Sequence, residues 1–248
     1  MSLKSPGSEP HWRPAFTPSA PVGTIDLFAG RLSQLERVTE AVLQKGQHVA
    51  IYGERGVGKT SLANVLPGQL EFLRKHNYQV VRHTCSAAST FNSIWDGVLR
   101  ELSFKRNNAA STADPAPMRL GAHIATNARP DDIRFLLQQT GGSIVVIIDE
   151  YDRIPKDDTT SELLADTIKS LSDHAVDATL IIVGVADSID DLIAEHKSIE
   201  RALVQIQMPR MSEGELFSIL EKGYSQATME VEFDAKCQIA ALSQGAST

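Results

Sequence analysis

Eight consecutive residues, Gly53-Glu54-Arg55-Gly56-Val57-Gly58-Lys59-Thr60, carry the most specific chemistry in this chain of 248 residues. They fit G-x-x-x-x-G-K-[ST], a loop pattern that binds polyphosphates. A polyphosphate is held by several backbone N–H groups turned inward, and bulky side chains would block that approach. Glycines at 53, 56 and 58 permit backbone conformations that Cβ-bearing residues resist, and a helix opening at the loop adds its N-terminal amides and dipole. Lys59 is expected to reach the β- and γ-phosphates, and the Thr60 hydroxyl to bind Mg²⁺. The expected ligand is therefore a nucleotide polyphosphate with Mg²⁺, bound by the run from Gly53 to Ser61.

The flanks satisfy what such a loop requires. Gln47 to Tyr52 is apolar and β-branched and reads as a strand; Ser61 to Leu66 reads as a helix. A second chemical feature closes another strand: Ser143-Ile144-Val145-Val146-Ile147-Ile148 is followed by Asp149 and Glu150. Two acids after a buried apolar run fit a site in which one carboxylate holds the metal and the next polarises water for attack on the γ-phosphate. Asp149 takes the first role and Glu150 the second, against the plainer reading of an acidic turn extended by Asp152.

The remaining elements must bring these two ends together. Strands are expected at Gln79–Thr84, Thr179–Val185 and, more weakly, Ala202–Met208. Helical spacing of Leu32, Leu35, Val38 and Val42 precedes the loop. Apolar helical faces follow at Phe91 to Leu102, where Trp95 is read as core, at Asp131 to Thr140, and at Leu163 to Leu171. Alternating strands and helices imply a doubly wound, parallel five-stranded α/β sheet with ligand beyond the strands' carboxyl ends. Helices alone are expected after Met211, and the segment from Ser103 to Pro130 reads as a polar loop.

With 42% hydrophobic residues the chain can bury a full core. A formal net charge of −7 argues against a broad basic footprint, so direct nucleic-acid binding is not expected. Two cysteines are too few for a disulfide framework, and no apolar run approaches the ~20 residues of a membrane span. A cytoplasmic location is expected. Pro6, Pro10, Pro14, Pro18 and Pro21 mark an extended leader over 1–24, followed by a core over 25–209 and a partial helical lid over 210–248.

Leu27-Phe28-Ala29-Gly30-Arg31, the phosphate loop, the Ile144–Glu150 and Leu180–Asp187 strands and the helical tail together resemble an AAA+ ATPase. The branch they look most like contains origin-recognition and replication-initiator ATPases and related bacterial proteins. That resemblance implies ATP lying between an α/β core and a helical lid, with Phe28 and Arg31 near the adenine. It also implies a γ-phosphate-sensing role for Asp187 where the family often has Asn, and an arginine finger for a neighbouring subunit in a homo-oligomer. Arg201 is the first candidate for that finger and Arg210 the second. The family's lid often carries Gly-x-x-Arg; here Gly245 is followed by Ala246, Ser247 and Thr248, a departure that points toward slower, switch-like ATPases. Two readings follow: an ATPase acting on the β–γ phosphoanhydride bond to drive a macromolecular partner, or a nucleotide-gated interaction module with negligible turnover alone. A small-molecule phosphotransferase and a GTPase both lack supporting motifs.

Overall fold

The computed structural model describes residues 28–73, 78–109, 127–155, 159–192 and 197–243. The stretch over 1–24 read as a leader, the centre of the polar segment, and Gly245 to Thr248 lie outside these residues. The first elements are α1 (Leu32–Leu43), β1 (His48–Gly53), α2 (Lys59–Phe72), β2 (Tyr78–Thr84), α3 (Phe91–Ala109) and α4 (Pro130–Thr140). They are followed by β3 (Ser143–Asp149), α5 (Thr160–Asp173), β4 (Ala178–Val185), the single turn α6 (Ile189–Leu192) and β5 (Leu203–Gln207). Helices α7 (Glu213–Ala227) and α8 (Phe233–Ser243) close the described chain.

The five strands form one parallel sheet in the order β2-β3-β4-β1-β5. Every residue of β1 and β3 is buried, whereas the edge strand β2 is mostly half-exposed. This is why β1 and β3 read as continuous apolar runs: a central parallel strand has helices on both faces. Val145 and Ile147 of β3 join the layer packed by α1 and α2, while Ile144, Val146 and Ile148 join the layer packed by α3, α4 and α5. Trp95 is fully buried in the second layer, as expected for a core residue.

Two helices extend beyond what composition suggests. Helix α3 continues to Ala109, through residues whose polarity reads as loop from Ser103 onward. Helix α2 passes through Pro67 to Phe72. An interior proline costs a helix ~3 kcal/mol in an exposed setting. Here Leu66 and Leu70, on either side of it, are buried against the sheet, and their burial at ~1.5–3 kcal/mol each offsets that cost. After β5 the chain leaves the sheet, and α7 and α8 pack on each other around Met211, Leu216 and Ala240. Among the described residues no helix is long and apolar enough to cross a membrane.

His48, at the start of β1, is fully buried, and its Nδ1 accepts the Leu180 N–H at 3.0 Å. Its Nε2 is buried without a partner, so burial disfavours the imidazolium and pushes the pKa down to about 4. The unfolded chain, titrating near 6.5, then binds the extra proton first as pH falls. His48 therefore contributes to stability above pH 6.5 and that contribution is lost between 6.5 and 4, by about 3 kcal/mol in total. Thermal melts from pH 7 to 4 should show the stability gap between the wild type and His48→Gln shifting by that amount; parallel curves would exclude the assignment.

Candidate functional site

Because β1, β4 and β3 are parallel neighbours, their carboxyl ends meet at one edge of the sheet. The phosphate-loop sequence leaves β1 there. A Cβ on Gly53 would lie 2.3 Å from the Met208 carbonyl oxygen, so only glycine allows the loop to turn away past the end of β5. Gly56 and Gly58 have φ of 83° and 92°, left-handed values that glycine adopts without strain. Val57, between them, is buried and anchors the loop to the core.

Lys59 opens α2 and is buried, with its amine donating to the carbonyls of Gly53 at 2.9 Å and Glu54 at 2.6 Å. Burial lowers its pKa, opposed by the charges of Asp152 and Asp149. Thr60 Oγ1 donates to Asp149 Oδ2 at 3.2 Å, joining the loop to the end of β3. Asp149 is buried, and its Oδ1 accepts the Glu150 N–H at 2.8 Å. Its carbonyl accepts the Cys85 N–H at 2.8 Å. The Cys85 thiol is pushed up to about 12 by burial, then by Asp149, Glu150 and Asp152, which leaves it a packing group.

Glu150 has a left-handed backbone, φ 53° and ψ 37°, which costs a non-glycine residue about 1 kcal/mol and concentrates at functional positions. It turns the chain sharply into a 3₁₀ turn over Tyr151–Arg153, and the Arg153 guanidinium donates to its Oε2 at 2.8 Å. Asp152 Oδ1 accepts the N–H of Val185 at 2.8 Å and so fastens this turn to the end of β4. Asp187 is exposed two residues beyond β4, on the same edge.

The candidates drawn from the family resemblance are placed differently. Arg201 precedes β5 and its carbonyl accepts from Gln47 just before β1, at the amino-terminal edge of the sheet, opposite the phosphate loop. It is 84% exposed and 3.6 Å from Asp173. It is therefore placed away from the loop of its own chain and faces outward. Arg210 instead grips the loop of its own chain, donating from Nε and Nη2 to Glu54 Oε2 at 2.9 and 2.7 Å. Phe28 and Arg31 are both buried between the core and α7. Arg31 donates to the Pro209 carbonyl and to Glu215, and Lys222 donates to the Phe28 carbonyl at 2.7 Å. Three cationic side chains thus tie the loop and the segment before α1 to α7 and the residues just before it.

Two residues of the site were not legible in the sequence. Arg82 of β2 donates to Asp149 Oδ2 and to Asn64 Oδ1. An arginine on an edge strand reads as a solubilising charge, and Asn64 reads as one more polar helix position. The available signal was that Asn64 follows Thr60 by four residues, which puts both on one face of α2.

Residues 42–193, more than half of the chain, match the model of the AAA domain family AAA_22, and the protein belongs to that family. It is an AAA-type, nucleotide-binding P-loop domain. Its fold is similar to that of the Walker-type ATPase paby2304 of Pyrococcus abyssi, at 14% identity over 91% of this chain and 65% of that one, with a TM-score of 0.64. It is also similar to the Aeropyrum pernix ORC2 protein solved in ADPNP–ADP complexes, at 16% identity over 86% of this chain and 56% of that one, with a TM-score of 0.59. A 72-residue stretch is 35% identical to the Bacillus subtilis uncharacterized ABC transporter ATP-binding protein YfmM, covering 29% of this chain and 14% of that protein. The chain spans less than two thirds of each of these relatives.

Proposed function

We propose that this domain binds ATP between the phosphate loop and the α7–α8 pair, hydrolyses it with Mg²⁺, and uses the cycle to change its own conformation or the assembly of a macromolecular partner. The observation that carries this reading is the contact of Thr60 with Asp149 at 3.2 Å, beside a buried Lys59. A hydroxyl and a buried carboxylate side by side suit a magnesium ion that takes its other ligands from phosphate and water. When bound, Mg²⁺ would neutralise charge building on the β- and γ-phosphate oxygens.

The chain's own groups do the rest. Loop amides and Lys59 hold the β- and γ-phosphates. Glu150 orients a water so that its oxygen bonds to the γ-phosphorus as the bridging P–O bond breaks, the electron pair leaving on ADP and the water's proton passing to the Glu150 carboxylate. Asp187 senses the γ-phosphate through water, since a carboxylate in direct contact would be repelled. Phe28 and Arg31 back the adenine side, with Arg31 holding α7 there as a lid hinge. The outward-facing Arg201 serves a neighbouring copy, where a guanidinium fork pairs with phosphate oxygens. A cytoplasmic setting accords with the two free cysteines, and recovery of the chain from an oxidising compartment would count against it.

One observation favours a second reading, a nucleotide-gated switch with negligible turnover alone: the Glu150 carboxylate is engaged by Arg153. The two readings separate in one experiment. Thermal melts with Mg·ATP, Mg·ADP and Mg·GTP should show stabilisation by the adenine nucleotides, about 2.7 kcal/mol at 100 times Kd. Phosphate release per chain, followed over a range of protein concentrations, should then rise with concentration if Arg201 acts on a neighbour. Stabilisation with no release at any concentration supports the switch, and no stabilisation by any nucleotide refutes both.

A further inference from the structure

Building on the ATP reading above, we propose that Arg82 is a positioning residue for the Asp149 carboxylate that competes with Mg²⁺ for it. Arg82 thereby sets the Mg²⁺ concentration at which the site takes nucleotide. Strand register carries the geometry. Thr84 of β2 is paired with Asp149 of β3, and Arg82, two residues earlier, is paired with Ile147, so its side chain shares the face of the sheet on which α2 packs. There its guanidinium forks, one nitrogen donating to Asp149 Oδ2 and another to Asn64 Oδ1. Asn64 stands one turn after Thr60 on α2, so a single planar fork joins β2, β3 and the helix that bears the phosphate-loop hydroxyl. A lysine ammonium has no such fork.

The Asp149 carboxylate is well supplied with donors: Glu150 N–H on Oδ1, and Thr60 with Arg82 on Oδ2. Burying it without a partner would be costly, and the guanidinium is the full charge in contact with it. Lys59 is turned instead to the carbonyls of Gly53 and Glu54. A divalent cation approaching Asp149 therefore meets a positive charge already paired there and must share or displace it. The Arg82 side chain keeps about a third of its surface exposed, which leaves it room to give way toward solvent.

The test is a Mg²⁺ titration at fixed concentration of a fluorescent ATP analogue, with binding read by fluorescence, for the wild type, Arg82→Gln and Arg82→Lys. A parallel binding measurement in EDTA supplies the metal-free affinity. Arg82→Gln should lower the Mg²⁺ midpoint about tenfold, and Arg82→Lys about threefold in the same direction. The EDTA affinity should change less than either midpoint. An arginine with a purely structural role would lower the melting temperature and leave the midpoint where it was. An unchanged or raised midpoint in Arg82→Gln overturns the proposal, and if that variant does not fold, an unchanged midpoint in Arg82→Lys does so. If the wild type binds no nucleotide at any Mg²⁺ concentration, the ATP reading fails and Arg82's role falls with it. If the wild type binds and only the shift is missing, the role of Arg82 alone is refuted.

Discussion

Lys59→Ala should weaken Mg·ATP binding by a factor of roughly 10²–10³. Lys59 sits at the first residue of α2, buried, with its amine held by the carbonyls of Gly53 and Glu54. That places a desolvated cation inside the loop whose backbone is shaped by Gly56 and Gly58. Charge-assisted hydrogen bonds to phosphate contribute about 1.5–3 kcal/mol each, and an ammonium bridging two phosphates makes about two of them. Alanine removes both and leaves two loop carbonyls without their donor, so the loop also loses its shape. Titration calorimetry with Mg·ATP checks this directly. An affinity within threefold of the wild type would show that the loop does not hold the phosphates and would remove the nucleotide site from this edge of the sheet.

The second large effect separates binding from chemistry. Glu150→Gln should keep Mg·ATP affinity within about threefold while turnover falls by roughly 10²–10³, the range expected when a residue that orients or deprotonates water is neutralised. The substitution preserves size and leaves the backbone N–H of residue 150 on Asp149 Oδ1. Its ion pair with Arg153 is exposed on both sides, so its loss changes stability little. Phosphate release under single-turnover conditions is the measurement, since it excludes product release from the rate. A variant as fast as the wild type would take Glu150 out of the reaction. A wild type with no turnover, whose rate appears in Arg153→Ala, would instead identify the Arg153 pair as what holds the domain in a switch state.

The elements at the site were legible to different degrees, and the difference is physical. The phosphate loop could be read directly because its chemistry is backbone chemistry: glycines at fixed spacing take positive φ and expose amides, whatever surrounds them. The strands β1 and β3 could be read because a strand buried on both faces has no polar positions to break its run. Asp149 and Glu150 stood out as charges at the end of such a run. By contrast, β2 and β5 are edge strands with mixed exposure, and their contribution was read only as secondary structure. Helix α3 reached Ala109, and α2 ran through Pro67, beyond the ends that local propensity suggests. For α2 the buried Leu66 and Leu70 supply the reason, since packing against the sheet outweighs a local penalty of a few kcal/mol.

The charged residues divide most clearly. The family resemblance offered Arg201 and Arg210 as fingers and Arg31 as an adenine neighbour. The fold places Arg210 on Glu54 of its own loop, Arg31 on Pro209 and Glu215, and Arg201 at the opposite edge of the sheet. The partner of an arginine with a long, flexible stem depends on what the fold sets beside it, and composition alone carries no trace of that.

The phosphate loop, the alternating strands and helices and the acidic pair after β3 are local features, each set by residues within a few positions of one another, and so they could be read from the chain alone. The meeting of Arg82 with Asp149 across 67 residues, and of Glu54 with Arg210 across 156, exists only in the folded chain. Those encounters follow from strand order and register, which are settled by how the whole sheet buries its apolar faces.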